Sequence, residues 1–513
     1  MRRAAHGHGG RAAEGAARAT AGLAAALLAA AFLAATVAAA AQSAKRPAQA
    51  AFDPQRAVPA EALREDLEVL WAVLEEGHGG LDRYTPAAEL RKGFDDVAKR
   101  LTSPLTELEL YRRLLPLVAA VKDGHTRLLL SEAAEAHLDS RPVLLPFGLR
   151  FLEGRTYVLR DLSAEGVIGA GAELLAVDGA PAAEVLGELL PLVPSDAGIR
   201  TRKLRLLESP AVFGRLHALR LGLPESFRVR YRPRGSDGAR EATVAGIRAA
   251  DIGRVMGERY PEAAARRPLY ELAFRGEIGV LTVRAFADDP GPGSPRFPEF
   301  VAGAFRALEE KKANGLVIDL RGNGGGVDEY AKLLYAHCAE RPFLYYWALE
   351  TKKDRYDLFR RTDETPEGAE ELARQVRRNA RGRFDVVGHP NSGLQQGREP
   401  RFAGRVAILI DGGSSSATGE VTSAFHYYRR AVFFGEECGA GYYGNTSGFT
   451  VTAALPNTGI RIRVPLVLYA MAVDGYPKDR GLVPDVPVSP TIEDLLAGRD
   501  PALERALARL GER

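Results

Sequence analysis

The stretch Gly315-Leu316-Val317-Ile318 followed by Asp319-Leu320-Arg321-Gly322-Asn323-Gly324-Gly325-Gly326 reads as a wholly apolar strand that runs straight into a glycine-rich turn. About ninety residues later the pattern returns. Val406-Ala407-Ile408-Leu409-Ile410 leads into Asp411-Gly412-Gly413-Ser414-Ser415-Ser416-Ala417-Thr418-Gly419-Glu420. Helix-compatible sequence follows each turn, so each unit is a strand, a turn and a helix. Open α/β sheets place their ligands at such strand ends. One turn offers bare backbone N–H groups and the other offers hydroxyls. The pair points to acyl transfer through a serine nucleophile with a backbone oxyanion hole.

Outward from these two units, residues 268–490 alternate apolar strands with helices, beginning with the strand Glu277 to Phe286 and the helix Phe297 to Lys312. That alternation predicts a largely parallel sheet with crossover helices. Residues 341–403 are polar, charged and punctuated by Gly and Pro, and read as an insertion, a lid over the cleft. Residues 491–513 read as a C-terminal helix. On the N-terminal side, residues 58–140 are mostly helical, with Leu63, Leu67, Leu70 and Leu74 at helix spacing. Thr106 with Glu109 fits a capping box for a helix through Leu110, Leu114, Leu117 and Val121, with Gly124 as its stop. Residues 141–248 are β-rich, with short strands at Leu144 to Phe151, Arg155 to Leu159, Glu173 to Val177, Phe227 to Tyr231 and Glu241 to Val244. One helix, Ala182 to Leu190, interrupts them.

Bulk properties exclude several classes. A net charge of +3 over 513 residues, with no Lys/Arg block, argues against nucleic acid as a partner. Arg2, Arg3, Arg11 and Arg18 precede a charge-free Ala/Leu stretch from Ala19 to Ala44. With Ala39-Ala40-Ala41 as an A-x-A cleavage site, residues 1–41 read as a signal peptide and 42–57 as a linker. The chain is therefore expected to be exported to the periplasm or outside the cell. An uncleaved signal segment is the one route to a membrane. Cys338 and Cys438 do not make a disulfide framework, though an exported protein could join them. The nine histidines form no H-E-x-x-H, so no metal is expected.

A serine hydroxyl needs a base to take its proton. Ser416 is the favoured nucleophile of the triple serine. It stands at a helix start, where N–H groups and the helix dipole favour developing negative charge. A serine N-cap with spare loop hydroxyls is the structural alternative. Gly324-Gly325-Gly326 lets N–H groups approach an oxyanion, a donor set whose loss typically costs roughly 100- to 1,000-fold in rate. A phosphate loop is disfavoured because no Gly-Lys-Ser/Thr ending follows. His125, in a glycine-bounded turn, is the base candidate.

Taken in order, Asp319 to Gly326, Ser416-Ala417 with Glu420, Gly435-Glu436, Leu455-Pro456 and Gly481-Leu482-Val483-Pro484-Asp485 resemble the motif set of the tail-specific (C-terminal processing) serine peptidases. Asp123-Gly124-His125-Thr126 resembles the histidine motif of the tricorn-like branch. The resemblance spans residues 59 to 490. It implies an α/β fold with a ClpP/crotonase-like core, an N-terminal helical region and a PDZ-like β-rich module, to which Leu175-Ala176-Val177-Asp178-Gly179 is similar. It also implies cofactor-independent peptide hydrolysis, with Ser416 as nucleophile, His125 as general base, and Ala417 with Gly325 or Gly324 as oxyanion donors.

Three details set the chain apart from that family's pattern. The lysine-using branch has its base after the serine, where this chain reads Glu437-Cys438-Gly439-Ala440-Gly441-Tyr442, so a Ser/Lys dyad is disfavoured. Ser416 lies four residues before Glu420 where the family has three, read as a one-residue insertion. Asp479 is the nearest match to the branch's carboxylate, with Asp474 as its rival. Tyr442, Tyr443 and Asn445, with Arg461-Ile462-Arg463, are read as bordering a cleft that accepts polypeptide substrate by strand addition. A polar loop and an alternating edge strand are the other reading of these residues. The expectation is an exported serine endopeptidase. A non-catalytic peptide-binding scaffold and an esterase-like hydrolase are the alternatives.

Overall fold

Side-chain alternation along the two apolar strands decides how the central sheet is covered. Leu316 and Ile318 of strand Gly315–Asp319, with Val406, Ile408 and Ile410 of strand Arg405–Ile410, join one buried core. Helices Phe297–Glu310, Asp328–Ala336 and Ala417–Tyr427 contribute to that same core. Val317, Ala407 and Leu409 instead pack with Ala506 and Leu510 of helix Pro501–Gly511. Neighbouring strand residues face opposite ways, so a strand apolar at every position needs cover on both faces. The two helix layers supply it.

The computed structural model describes residues 52–512. The expected signal segment and most of the linker lie outside them, and no described helix is long and apolar enough to cross a membrane. The central sheet runs in the order Tyr270–Arg275, Ile278–Val283, Gly315–Asp319, Arg405–Ile410, Val432–Gly435, Val486–Pro487. Its first pair is antiparallel and every later pair is parallel. The mixed helix-and-sheet architecture is α/β.

A second sheet stands beside the first. Long strands Gly444–Ala454 and Arg461–Met471 pair antiparallel, and Tyr346–Thr351, Phe384–Val386 and Val376–Arg378 extend them. Part of the polar 341–403 segment is thus built into sheet. It is also tied to the first helix, Ala60–Gly77, where Asp357 N–H and Leu358 N–H donate to Glu76. Arg461–Arg463 is not an edge, because Arg127–Leu129 pairs along it on the side away from Gly444–Ala454.

In the N-terminal region, Leu63, Leu67, Leu70 and Leu74 are all buried on one stripe of helix Ala60–Gly77. Thr106 and Glu109 form a capping box at the start of helix Glu107–Ala119. That helix ends before Gly124, and Lys122 takes the left-handed conformation, at φ 57°.

Between residues 147 and 245 lies a six-stranded antiparallel sheet, in the order Phe147–Leu152, Arg155–Asp161, Ala172–Val177, Ser226–Arg232, Arg240–Ala245, with the short strand Ala180–Pro181 paired to Ala172–Val177 off that path. Helix Ala182–Leu189 packs on it, and helices Arg200–Leu207 and Pro210–Leu221, which the strand pattern does not announce, add Leu207 and Phe213 to its core. Cys338 and Cys438 are buried and free; Cys438 donates to the Ser414 carbonyl at 3.1 Å.

Ile408 is fully buried at the centre of the sheet. Ile408→Ala is expected to lower stability by about 2–5 kcal/mol, read from the midpoint of urea unfolding.

Candidate active site

The two strand-end turns are laced together before any reactive group is considered. Adjacent parallel strands deliver them side by side, and Leu320 N–H still donates to Leu409 O beyond the last paired residue. Asp411 Oδ1 then accepts from Gly322 N–H of the glycine turn and Gly413 N–H of its own turn, both at 2.8 Å. Ser414 Oγ donates to Leu320 O at 2.8 Å, and Ser415 N–H to Asn323 O at 3.0 Å. Two serines of the triple are thereby structural. Arg321 fixes the glycine turn from behind through Asp319 and the helix-capping Asp500, at 2.7 and 2.6 Å.

Ser416 is treated differently. It precedes helix Ala417–Tyr427 with φ 56° and ψ −130°, a region that non-glycine residues rarely occupy and that costs of order 1–3 kcal/mol. Its side chain does not cap the helix. The strained turn aims the hydroxyl away from the helix, and Oγ lies 3.3 Å from His125 Nε2. Both residues keep partial exposure although Ser414, Ser415 and Ala417 are buried. His125 comes from the turn between helix Glu107–Ala119 and strand Arg127–Leu129, which reaches the site because that strand pairs with Arg461–Arg463.

Residues 277–488 match the sequence model of peptidase family S41. That match, over less than half of the chain, supports a serine-type peptidase. No curated protein sequence matches the chain. Among solved structures, mature CPAF is similar at 15% identity and a TM-score of 0.58, over 88% of this chain and 96% of that one. CPAF complexed with lactacystin gives the same identity and TM-score over 88% and 98%. A mutant CPAF gives 0.59, again at 15% identity, over 88% and 96%. These likenesses show a shared fold.

Within the matched residues, the glycine turn closes against the serine. Gly325 has φ 103°, and a Cβ there would stand 2.7 Å from Ser416 Cβ, so the approach requires glycine. Its N–H does not face an oxyanion, since it donates to Asn323 Oδ1 at 2.9 Å. The N–H groups of Gly324 and Ala417 have no acceptor among the described residues. Of the three expected donors, Gly325 is thus already bonded to a side chain, and Gly324 and Ala417 are the two left without an acceptor among the described residues.

Asp479 and Asp474 are both exposed, and neither bonds to His125. They follow the long strand Arg461–Met471. The carboxylates around His125 are Asp123, in its own turn, and Asp196, far away in sequence; both are buried. His78 Nε2 lies 3.7 Å from Asp123 Oδ2. The Asp123-Gly-His-Thr sequence carried a signal for the first of these. Nothing in the sequence joins Asp196 or His78 to the site.

Tyr442 and Asn445 do not line an open cleft. Tyr442 is buried, its hydroxyl 2.8 Å from His426 Nδ1 and its ring stacked on Tyr476. Tyr443 is half-buried and donates to Tyr476 O. Asn445 is buried and donates to Glu420 Oε1 at 2.7 Å. Glu420 itself lies one helical turn past Ser416. Burial, reinforced by Asp328, pushes its carboxyl up to about 8. Tyr346 Oη bridges Glu420 Oε2 at 2.7 Å and Asp328 Oδ2 at 2.8 Å. One hydroxyl hydrogen serves two carboxylates only if one of them carries a proton of its own, and the raised carboxyl of Glu420 is the one suited to hold it.

Two outcomes are expected. Gly325→Ala should cut kcat/KM about 100-fold or more by displacing Ser416, measured on an unstructured peptide. Glu420 holds its proton to about pH 8 in the fold but loses it near its ordinary value of 4.5 when unfolded. The native state therefore binds more protons between those values, and this group's contribution to stability falls as pH rises through the window, levelling above it. Thermal melts of Glu420→Gln should show a weaker decline over that range than the parent.

Proposed function

We propose that the chain is an exported serine endopeptidase acting on unfolded or C-terminally presented polypeptide through an acyl-enzyme. The observation that carries this reading is the 3.3 Å approach of His125 Nε2 to a Ser416 hydroxyl that caps no helix. Ser416 Oγ attacks the peptide carbonyl while Nε2, unprotonated in the resting tautomer, takes its hydrogen. The tetrahedral oxyanion is received by the N–H groups of Ala417 and Gly324, Ala417 being the first residue of its helix. The imidazolium then returns its proton to the leaving amine, and water repeats the sequence on the acyl-enzyme. Asp123 and Asp196 stabilise the positive charge that forms on His125.

The scaffold alternative would leave Ser416 as an ordinary helix cap, and the strained backbone argues against that, since such strain gathers at functional positions. Export rests on the N-terminal sequence, with arginines ahead of a charge-free Ala/Leu stretch and an A-x-A site. The antiparallel sheet with helix Ala182–Leu189 is read as a PDZ-like module that holds part of the polypeptide.

The test is turnover of an unfolded polypeptide by parent, Ser416→Ala and His125→Ala. Both variants should lose about 10⁴-fold or more in kcat while keeping the parent melting temperature within a few degrees. Parent-level turnover by Ser416→Ala would contradict the assignment. Hydrolysis of esters alone would favour the esterase reading.

A further inference from the structure

The turn that carries His125 belongs to no helix or strand. The preceding helix ends at Ala119 and the following strand begins at Arg127. Its position is set by where its backbone N–H groups go. Three in succession end on two buried carboxylates. Asp123 Oδ1 accepts from His125 N–H at 2.8 Å and Thr126 N–H at 2.7 Å. Gly124 N–H is taken by Asp196 Oδ1 at 2.7 Å.

Asp123 is part of the same turn, whose shape it holds, and it also accepts from Thr446 Oγ1 of strand Gly444–Ala454. Asp196 comes from outside the turn. It opens the short 3₁₀ turn Asp196–Gly198, between helix Ala182–Leu189 of the β-rich module and helix Arg200–Leu207. A second bond, Ala197 N–H to Lys122 O at 3.1 Å, runs the other way across the same contact. Ala197 takes φ 53° to make it. Asp196 Oδ2 also accepts from Gly441 N–H at 3.4 Å, just ahead of strand Gly444–Ala454. The fit leaves no slack at Gly124, where a Cβ would sit 3.0 Å from Asp196 Oδ1. Helix Arg200–Leu207 continues from this anchor onto the serine turn and the strand end beside it. Arg205 Nε lies 3.4 Å from Asp411 Oδ2, and Thr201 Oγ1 donates to Glu437 O at 2.9 Å.

We propose that Asp196 is a positioning residue for His125, the anchor through which the β-rich module fixes the imidazole turn against the Ser416 turn. The proposal rests on the reading of Ser416 and His125 as nucleophile and base. It assigns Asp196 no contact with substrate. Its work is done by an oxygen that accepts Gly124 N–H, which an amide oxygen can replace.

The experiment compares parent, Asp196→Ala, Asp196→Asn and His125→Ala on one unfolded polypeptide, with melting temperatures measured alongside. Asp196→Ala should lower kcat about 30-fold or more with KM within about threefold, because it displaces the base without touching substrate. Asp196→Asn should recover kcat to within about fivefold of the parent, since the amide keeps the acceptor in place. If Asp196→Ala fails to fold, Gly124→Ala replaces it and should show the same loss confined to kcat. Near-parent kcat in whichever of these two is measured overturns the proposal. So does an Asn variant no better than the Ala one. An active His125→Ala would overturn the catalytic reading itself. An inactive His125→Ala beside an unimpaired Asp196→Ala would sink the positioning role alone.

Discussion

The site depends on the register between two parallel strands. Gly315–Asp319 and Arg405–Ile410 pair residue for residue, so their turns emerge side by side, and Asp411 joins the two through Gly322 and Gly413. Once those turns are locked, Gly325 is pressed against Ser416 with room only for a hydrogen where a side chain would be. The strained backbone at Ser416 persists because the surrounding bonds over-determine it. The same bonds hold Ser414 and Ser415 in structural roles and leave one hydroxyl of the three free to react.

The base arrives by a separate route. The His125 turn precedes strand Arg127–Leu129, which docks on the second sheet at Arg461–Arg463. The N-terminal region, the central sheet and the second sheet therefore all have to be folded before the imidazole meets the hydroxyl. Two buried carboxylates finish the placement, one local and one from the β-rich module. Burial disfavours two such charges side by side, and burial together with the charge on Asp123 pushes Asp196 upward, while a positive His125 pulls it back. An imidazolium formed during catalysis has favourable neighbours on this account.

Much of the scaffold was legible because it follows from periodicity. Runs apolar at every position predicted strands covered on both faces, and Val317 and Ile318 do go to opposite cores. The capping box at Thr106 and the leucine stripe from Leu63 to Leu74 are local patterns with local causes. Ser416 and His125 could be singled out because each sits in a turn with an unusual composition. What stayed hidden was set by long-range contact. Asp479 is near the right motif in sequence, yet the chain leaves it exposed. Tyr442 and Asn445 look like cleft residues in a polar loop, but Tyr476 and Glu420 bury them. The Gly325 N–H could not be assigned without knowing that Asn323 takes it. Segment 341–403 reads as an excursion because its strands are short and charged, and their partners lie far along the chain.

The central claim is that one hydroxyl among the three serines is the nucleophile and that His125 activates it. Labelling with a serine-directed phosphonate, followed by peptide mapping of the modified residue, tests this most directly. The account predicts one label per chain on Ser416, with labelling abolished or slowed by orders of magnitude in His125→Ala. A label on Ser414 or Ser415, or modification of Ser416 at the parent rate without His125, would contradict it.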